Sequence, residues 1–142
     1  MKKVLVTGGL GFVGSNLVKI LKDKKEYEIT VIDNLSSKSS NSNYSEDGLD
    51  NIKYKDLNFD LIFHLAGISR IQPSFLDPIS YFRTNTLGTV QVCELAKRCG
   101  AKVIYAASSS AEAGPKLNPY AFTKWSGEQI IEMYANIYNM LL

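Results

Sequence analysis

Lys2-Lys3-Val4-Leu5-Val6-Thr7-Gly8-Gly9-Leu10-Gly11-Phe12-Val13-Gly14 begins as a short β-branched, apolar run and stops in a cluster of glycines. The residues beyond it place Phe12, Val13, Leu17, Val18, Ile20 and Leu21 at helical spacing, so the stretch reads as strand, turn, helix. Gly9 to Gly14 fits G-x-G-x-x-G, and Gly8 extends the match. Early glycines in such a turn let backbone N–H groups approach a pyrophosphate, and Gly14 lets the helix sit close on the strand. The helix N-terminus adds about half a positive charge for the phosphates. Asp33 ends a second β-patterned run, Tyr27 to Ile32, 19 residues after Gly14. A carboxylate there accepts both ribose hydroxyls and repels a 2′-phosphate, which favours NAD over NADP.

The rest of the chain continues the alternation. Asn34 to Asp50 is a polar loop, Ile52 to Tyr54 a short third strand, and Asp60 to Leu65 a strand apolar enough to be buried on both faces. Helix is expected over 78–98, with Ile79, Phe82, Leu87, Val90 and Leu95 on its buried stripe and Gly100 beyond its end. Lys102 to Ala107 is the next strand and Ser108 to Pro119 a loop. Helix follows over 120–138, with Phe122, Trp125, Ile130, Met133 and Ile137 inward, and Asn139 to Leu142 read as the start of a further strand. Strands alternating with helices need right-handed crossovers. They give an α/β fold, a doubly wound parallel Rossmann sheet of order 3-2-1-4-5, with ligands at the carboxyl ends of its strands.

Composition is that of one ordinary globular domain over residues 1–142: 45% hydrophobic, 21% charged, net charge +2. No apolar run approaches the ~20 residues a membrane helix needs. The apolar stretch behind Met1-Lys2-Lys3 is cut at Thr7-Gly8-Gly9, so no export signal is read and the expected compartment is the cytoplasm. The mild positive charge, with Lys22 to Lys25 balanced by Asp23, Glu26 and Glu28, gives no nucleic-acid footprint. Cys93 and Cys99 read as two reduced thiols with no second pair to complete a metal site.

Tyr120 and Lys124 are four apart and share one helix face, on the carboxyl side of the sheet where the glycine turn places a cofactor. A phenol, with ordinary pKa about 10, is a poor base near neutrality, and a fixed cation one turn away stabilises its anion. A hydroxyl from Ser108, Ser109 or Ser110 would hold a substrate oxygen while its proton passes to Tyr120 and hydride passes to nicotinamide.

Together these residues resemble the extended short-chain dehydrogenase/reductase family, and within it the NAD-dependent epimerase/dehydratases of nucleotide sugars. The resemblance is carried by Thr7 to Gly14, Asp33-Asn34, Asp56, His64-Leu65-Ala66-Gly67, Asn85 with Gly88-Thr89, Tyr105 to Ser110, and Pro119-Tyr120 with Lys124. It implies Ser108, Tyr120 and Lys124 as the catalytic set, with Ser109 the one-residue alternative to Ser108. It implies cofactor contacts from Gly8, Gly11, Phe12, Val13 and Gly14, and from Asp33 and Asn34 at the ribose. Asp56 and Leu57 would lie near the adenine. Leu65, Ala66 and Gly67 would pass beside the cofactor, Asn85 would support the site, and Tyr120 and Lys124 would touch the cofactor as well. His64 is implied to contact it through backbone, and no metal is implied. Arg70 reads as a surface arginine, with a phosphate contact as the alternative.

The match departs from the family in several places. Its members are usually much longer, their C-terminal half forming the substrate domain. Asp56 to Asp60 leaves no space for a helix before the His64 strand, the Ser108–Tyr120 loop is short, and Glu112-Ala113-Gly114 replaces the usual tyrosine-glycine. The expected function is a minimal NAD-dependent nucleotide-sugar epimerase/dehydratase. The alternative is an NAD-binding module, or the product of a shortened gene, without independent turnover. A homodimer through helices 78–98 and 120–138 is the expected assembly.

Overall fold

The computed structural model describes residues 1–35 and 58–142. Four parallel strands form its sheet, β1 (Lys2–Thr7), β2 (Tyr27–Ile32), β3 (Leu61–His64) and β4 (Lys102–Tyr105), in the order β2-β1-β3-β4. This is the expected 3-2-1-4-5 order without its first member. The expected strand at 52–54, most of the polar loop, and Asp56 and Leu57 lie outside the described residues.

Alternation along β1 sorts the core into two layers. Val4 and Val6 face helix α1 (Phe12–Asp23) and pack with Leu10, Val18, Leu21 and Val31. Leu5 faces the opposite way, into a larger cluster with Ile62, Val92, Cys93, Ala96, Val103, Ile131 and Tyr134. Each large apolar side chain fully buried this way contributes about 1.5–3 kcal/mol. Cys93 is completely buried and its thiol is pushed up to about 12 by desolvation, so it packs as an apolar group.

The second layer is built by helices that differ in detail from the expectation. Short helix α2 (Ile71–Leu76) was unforeseen. The single helix expected over 78–98 is instead α3 (Pro78–Tyr81), a π-helical turn (Phe82–Leu87) and α4 (Gly88–Cys99), with Gly100 left-handed at its end. The loop expected over Ser108–Pro119 contains α5 (Ser109–Ala113), before α6 (Pro119–Tyr138).

Two helix faces also correct the expectation. The long central segment buries Leu95 as expected, together with Tyr81, Asn85, Thr89, Val92, Cys93 and Ala96, whereas Ile79, Phe82 and Leu87 are exposed. Helix α6 buries Ala121, Thr123, Lys124, Gly127, Ile131 and Tyr134, leaving Met133 and Ile137 exposed. Both helices carry apolar residues on two faces, and the inner one carries small or polar side chains at Asn85, Thr89, Thr123 and Gly127. Past Asn139, in a left-handed conformation, the Val103 N–H donates to the Leu141 carbonyl at 3.0 Å, so the tail touches β4 without forming a ladder. No helix among the described residues is long and apolar enough to cross a membrane.

Candidate functional site

All four strands end at one edge of the sheet, and the glycine turn springs from the central one. Gly8 has φ +69°, and a Cβ there would lie 2.7 Å from the Ala66 nitrogen. A Cβ on Gly14 would strike the Gly8 carbonyl oxygen and lie 2.6 Å from the Gly9 Cα, so only glycine lets α1 dock this closely. No side chain caps α1 and its first turn holds no acidic residue, which leaves its leading amides aimed outward. Asp33, buried at the end of β2, accepts the Leu10 N–H at 2.9 Å on one oxygen and the Leu35 N–H at 2.9 Å on the other. Its carboxylate is thereby fixed beside the turn, with lone pairs remaining on both oxygens. The cradle, the uncapped amides and the oriented carboxylate fit a dinucleotide, with Gly8, Gly11 and Gly14 in the turn and Asp33 beside it. Phe12 and Val13 are exposed at the helix start, and Asn34 is exposed beside Asp33.

Leu65, Ala66 and Gly67 leave β3 directly opposite the turn. Here Asn85 does the structural work. Buried in the π-helical turn, it accepts the Ile68 N–H at 2.8 Å, donates to the Ile68 carbonyl at 3.0 Å, and donates to Thr123 Oγ1 at 3.1 Å. One side chain thus ties the strand-end loop to α6.

A second buried network fixes the protonation of His64. Thr89 Oγ1 donates to the Asn85 carbonyl at 2.7 Å, so His64 Nε2 must be the donor across the 3.0 Å contact with Thr89. Nδ1 is then unprotonated and accepts from Thr7 Oγ1 at 2.7 Å, while Thr7 Oγ1 accepts the Ala66 N–H at 3.2 Å. Desolvation, with the nearby Lys124 charge adding to it, holds His64 down at about 3, so the ring is neutral at physiological pH.

Of the expected catalytic set, two members meet. Ser108 Oγ lies 3.2 Å from Tyr120 Oη. Ser108 caps α5 by accepting the Ser110 N–H at 3.3 Å, and Asn118 caps α6 by accepting the Ala121 N–H at 2.8 Å, so each hydroxyl sits at a defined helix start. Lys124 is turned elsewhere: its Nζ donates to the Ala106 carbonyl and lies 4.2 Å from the centroid of the Tyr105 ring. Burial pushes its ammonium down to about 8, partly opposed by Glu128.

Sequence reasoning missed Thr123 and Tyr81 as site-building residues, and gave Thr89 no role beyond its place in the family resemblance. Tyr81 Oη donates to the Ser69 carbonyl at 3.0 Å and the Arg70 carbonyl at 2.9 Å, and its ring stands edge-on to Tyr120 at 6.3 Å. It thereby holds Arg70 at φ +86°, a strained value for a residue with a Cβ. The only prior signal for Thr123 and Tyr81 was their place on helices flanking the strand ends.

The profile of the NAD dependent epimerase/dehydratase family matches residues 4–141. UDP-glucuronic acid decarboxylase 1 of Xenopus tropicalis is 32% identical over 87% of this chain and 31% of its own length. UDP-N-acetylglucosamine 4-epimerase from Methanobrevibacter ruminantium, solved with UDP-N-acetylmuramic acid, superposes with a TM-score of 0.86 at 29% identity, over 98% of this chain and 52% of its own. MoeE5, solved with UDP-glucose and NAD, gives 0.82 at 28% identity over 94% of this chain and 49% of its own. The chain therefore spans about half the length, or less, of these relatives.

Proposed function

The chain belongs to the NAD dependent epimerase/dehydratase family, and from that premise we propose that it binds NAD at the β1–α1 turn and performs reversible hydride chemistry on a nucleotide sugar. The observation that carries this reading is the 3.2 Å approach of Ser108 and Tyr120 at the strand edge that also bears the glycine turn.

The amides after Gly11 would receive the pyrophosphate and Asp33 the adenosine ribose, which favours NAD over NADP. NAD held there would supply the hydride-accepting and hydride-donating chemistry. Ser108 Oγ holds the substrate hydroxyl in hydrogen-bond range of Tyr120. Tyr120 Oη takes the hydroxyl proton as the adjacent carbon gives up its hydride, and hands it back when the ketone is reduced. Lys124, one turn along the same helix, is held at the Ala106 carbonyl and over the Tyr105 ring, a buried cation at the same strand edge.

Substrate affinity is a separate question, because the chain is only about half as long as the relatives it matches. That observation keeps the second reading in view: an NAD-binding module whose sugar-nucleotide contacts come from elsewhere. Incubation with NAD and a panel of UDP-, GDP- and dTDP-sugars separates the two. The enzyme reading expects a new sugar product that disappears in Tyr120→Phe. Product formation unchanged in that variant would sink the catalytic assignment, and NAD binding without product would select the module. The exposed Ile79, Phe82, Leu87, Met133 and Ile137 support the accompanying proposal of a homodimer through α3–α4 and α6.

A further inference from the structure

Lysine has a long flexible stem, and a buried ammonium needs more than one partner to stay in one place. Lys124 has one carbonyl acceptor, at Ala106, and otherwise faces the π surface of Tyr105 at 4.2 Å, well inside the ~6 Å range of a cation–π contact.

The ring itself is clamped. Tyr105 stands opposite His64 in the β3–β4 register, and the two rings are 5.5 Å apart with a 41° tilt. Its Oη donates to the Lys124 carbonyl at 3.4 Å, a weak bond that nevertheless reaches the residue whose ammonium the ring faces. Its far edge fills the space beside Gly127, where an added Cβ would collide with Oη and lie 2.9 Å from Cζ. A glycine inside a 20-residue helix is costly by propensity, and the nearest neighbours its missing Cβ would meet are Tyr105 and Thr89. The helix gives up a side chain where the ring passes.

We propose that Tyr105 is the positioning residue for Lys124, a cation platform held between His64 and Gly127 that fixes the ammonium at the carboxyl edge of the sheet. The inference rests on the reading of Lys124 as part of the reaction site, but the platform itself can be tested without turnover. His64 contributes by staying neutral, since an imidazolium on the other side of the ring would repel the ammonium. The titratable groups around the pair are His64 from β3, Tyr120 and Glu128 from α6, and Cys93 from α4.

The test replaces Tyr105 with phenylalanine and with phenylalanines carrying one, two and three ring fluorines, which preserve shape while removing negative charge from the ring face. Lys124 is followed across pH by NMR in lysine-labelled protein and identified by loss of its signal in Lys124→Arg. The platform predicts a midpoint in Tyr105→Phe close to that of the unaltered protein, then a stepwise fall with each fluorine, about half to one pH unit over the series. A midpoint that ignores fluorination overturns the proposal. NADH titration of the same proteins tests the cofactor reading separately. Graded midpoints without NADH binding would leave the platform standing and remove that reading, and ungraded midpoints with binding would do the reverse.

Discussion

At Gly127 two preferences oppose each other. Helix propensity favours alanine by about 0.8–1 kcal/mol, whereas inserting a methyl into a filled space costs about 1–3 kcal/mol. The Tyr105 ring occupying that space is hemmed in by His64 and the Lys124 stem, so the steric cost wins. Gly127→Ala should therefore lower stability by up to about 2 kcal/mol in urea titrations, and a gain would contradict this packing. His64 permits a prediction about pH. Its folded value is depressed below the unfolded one, so the unfolded chain binds the extra proton, and the stability it contributes is complete above about 6.5 and declines as pH falls toward about 3. Between pH 7 and 5, unfolding free energy should drop with a His64 component approaching about 1.4 kcal/mol per unit. His64→Gln, which cannot titrate, should flatten that slope; an unchanged slope would contradict a buried neutral imidazole. None of this was legible beforehand. The glycine turn and Asp33 announce themselves by local spacing, but Tyr105, His64 and Gly127 come together only through strand register and helix docking.

The π-helical turn decides what the central helical segment presents inward. It brings Asn85 to the Ile68 backbone and to Thr123, joining three segments that no local interaction would hold together. Asn85→Ala removes three hydrogen bonds and strands the half-buried Ile68 groups that two of them satisfied. It should cost about 2–4 kcal/mol and speed amide exchange at Ile68; a loss below about 1 kcal/mol would show that the loop is held by other means. Hydrophobic periodicity located this segment and α6 but chose their faces only in part: Leu95 is buried and Ile130 packs on the core, whereas Ile79, Phe82, Leu87, Met133 and Ile137 are exposed. Phe122, Trp125, Met133 and Ile137 form as good a stripe as Ala121, Gly127, Ile131 and Tyr134, and size alone favoured the first. What reverses the choice is proximity: α6 approaches the strand ends at its start, where Ala121, Thr123, Lys124 and Gly127 are buried, and buries the larger Ile131 and Tyr134 farther along. Helices α2 and α5 escaped notice because each is too short to show a period.

On the scale of the whole molecule, the face rejected by the core remains exposed. Ile79, Phe82 and Leu87 on one helical segment and Met133 and Ile137 on the other would be covered by a two-fold partner, which presents the same surface in return. Light scattering at micromolar concentration should report a dimer, and Ile137→Lys should shift it to monomer; a monomeric parent chain would contradict the assembly. The sheet order was readable from sequence because alternating strands and helices admit few parallel arrangements. The central claim concerns the turn after β1, and calorimetric titration of the folded chain with NAD tests it most directly. The account predicts saturable heat that is much weaker with NADP and is lost when Asp33 is changed to alanine. Absence of heat from either oxidised or reduced coenzyme at millimolar concentration, in protein shown to be folded, would contradict it.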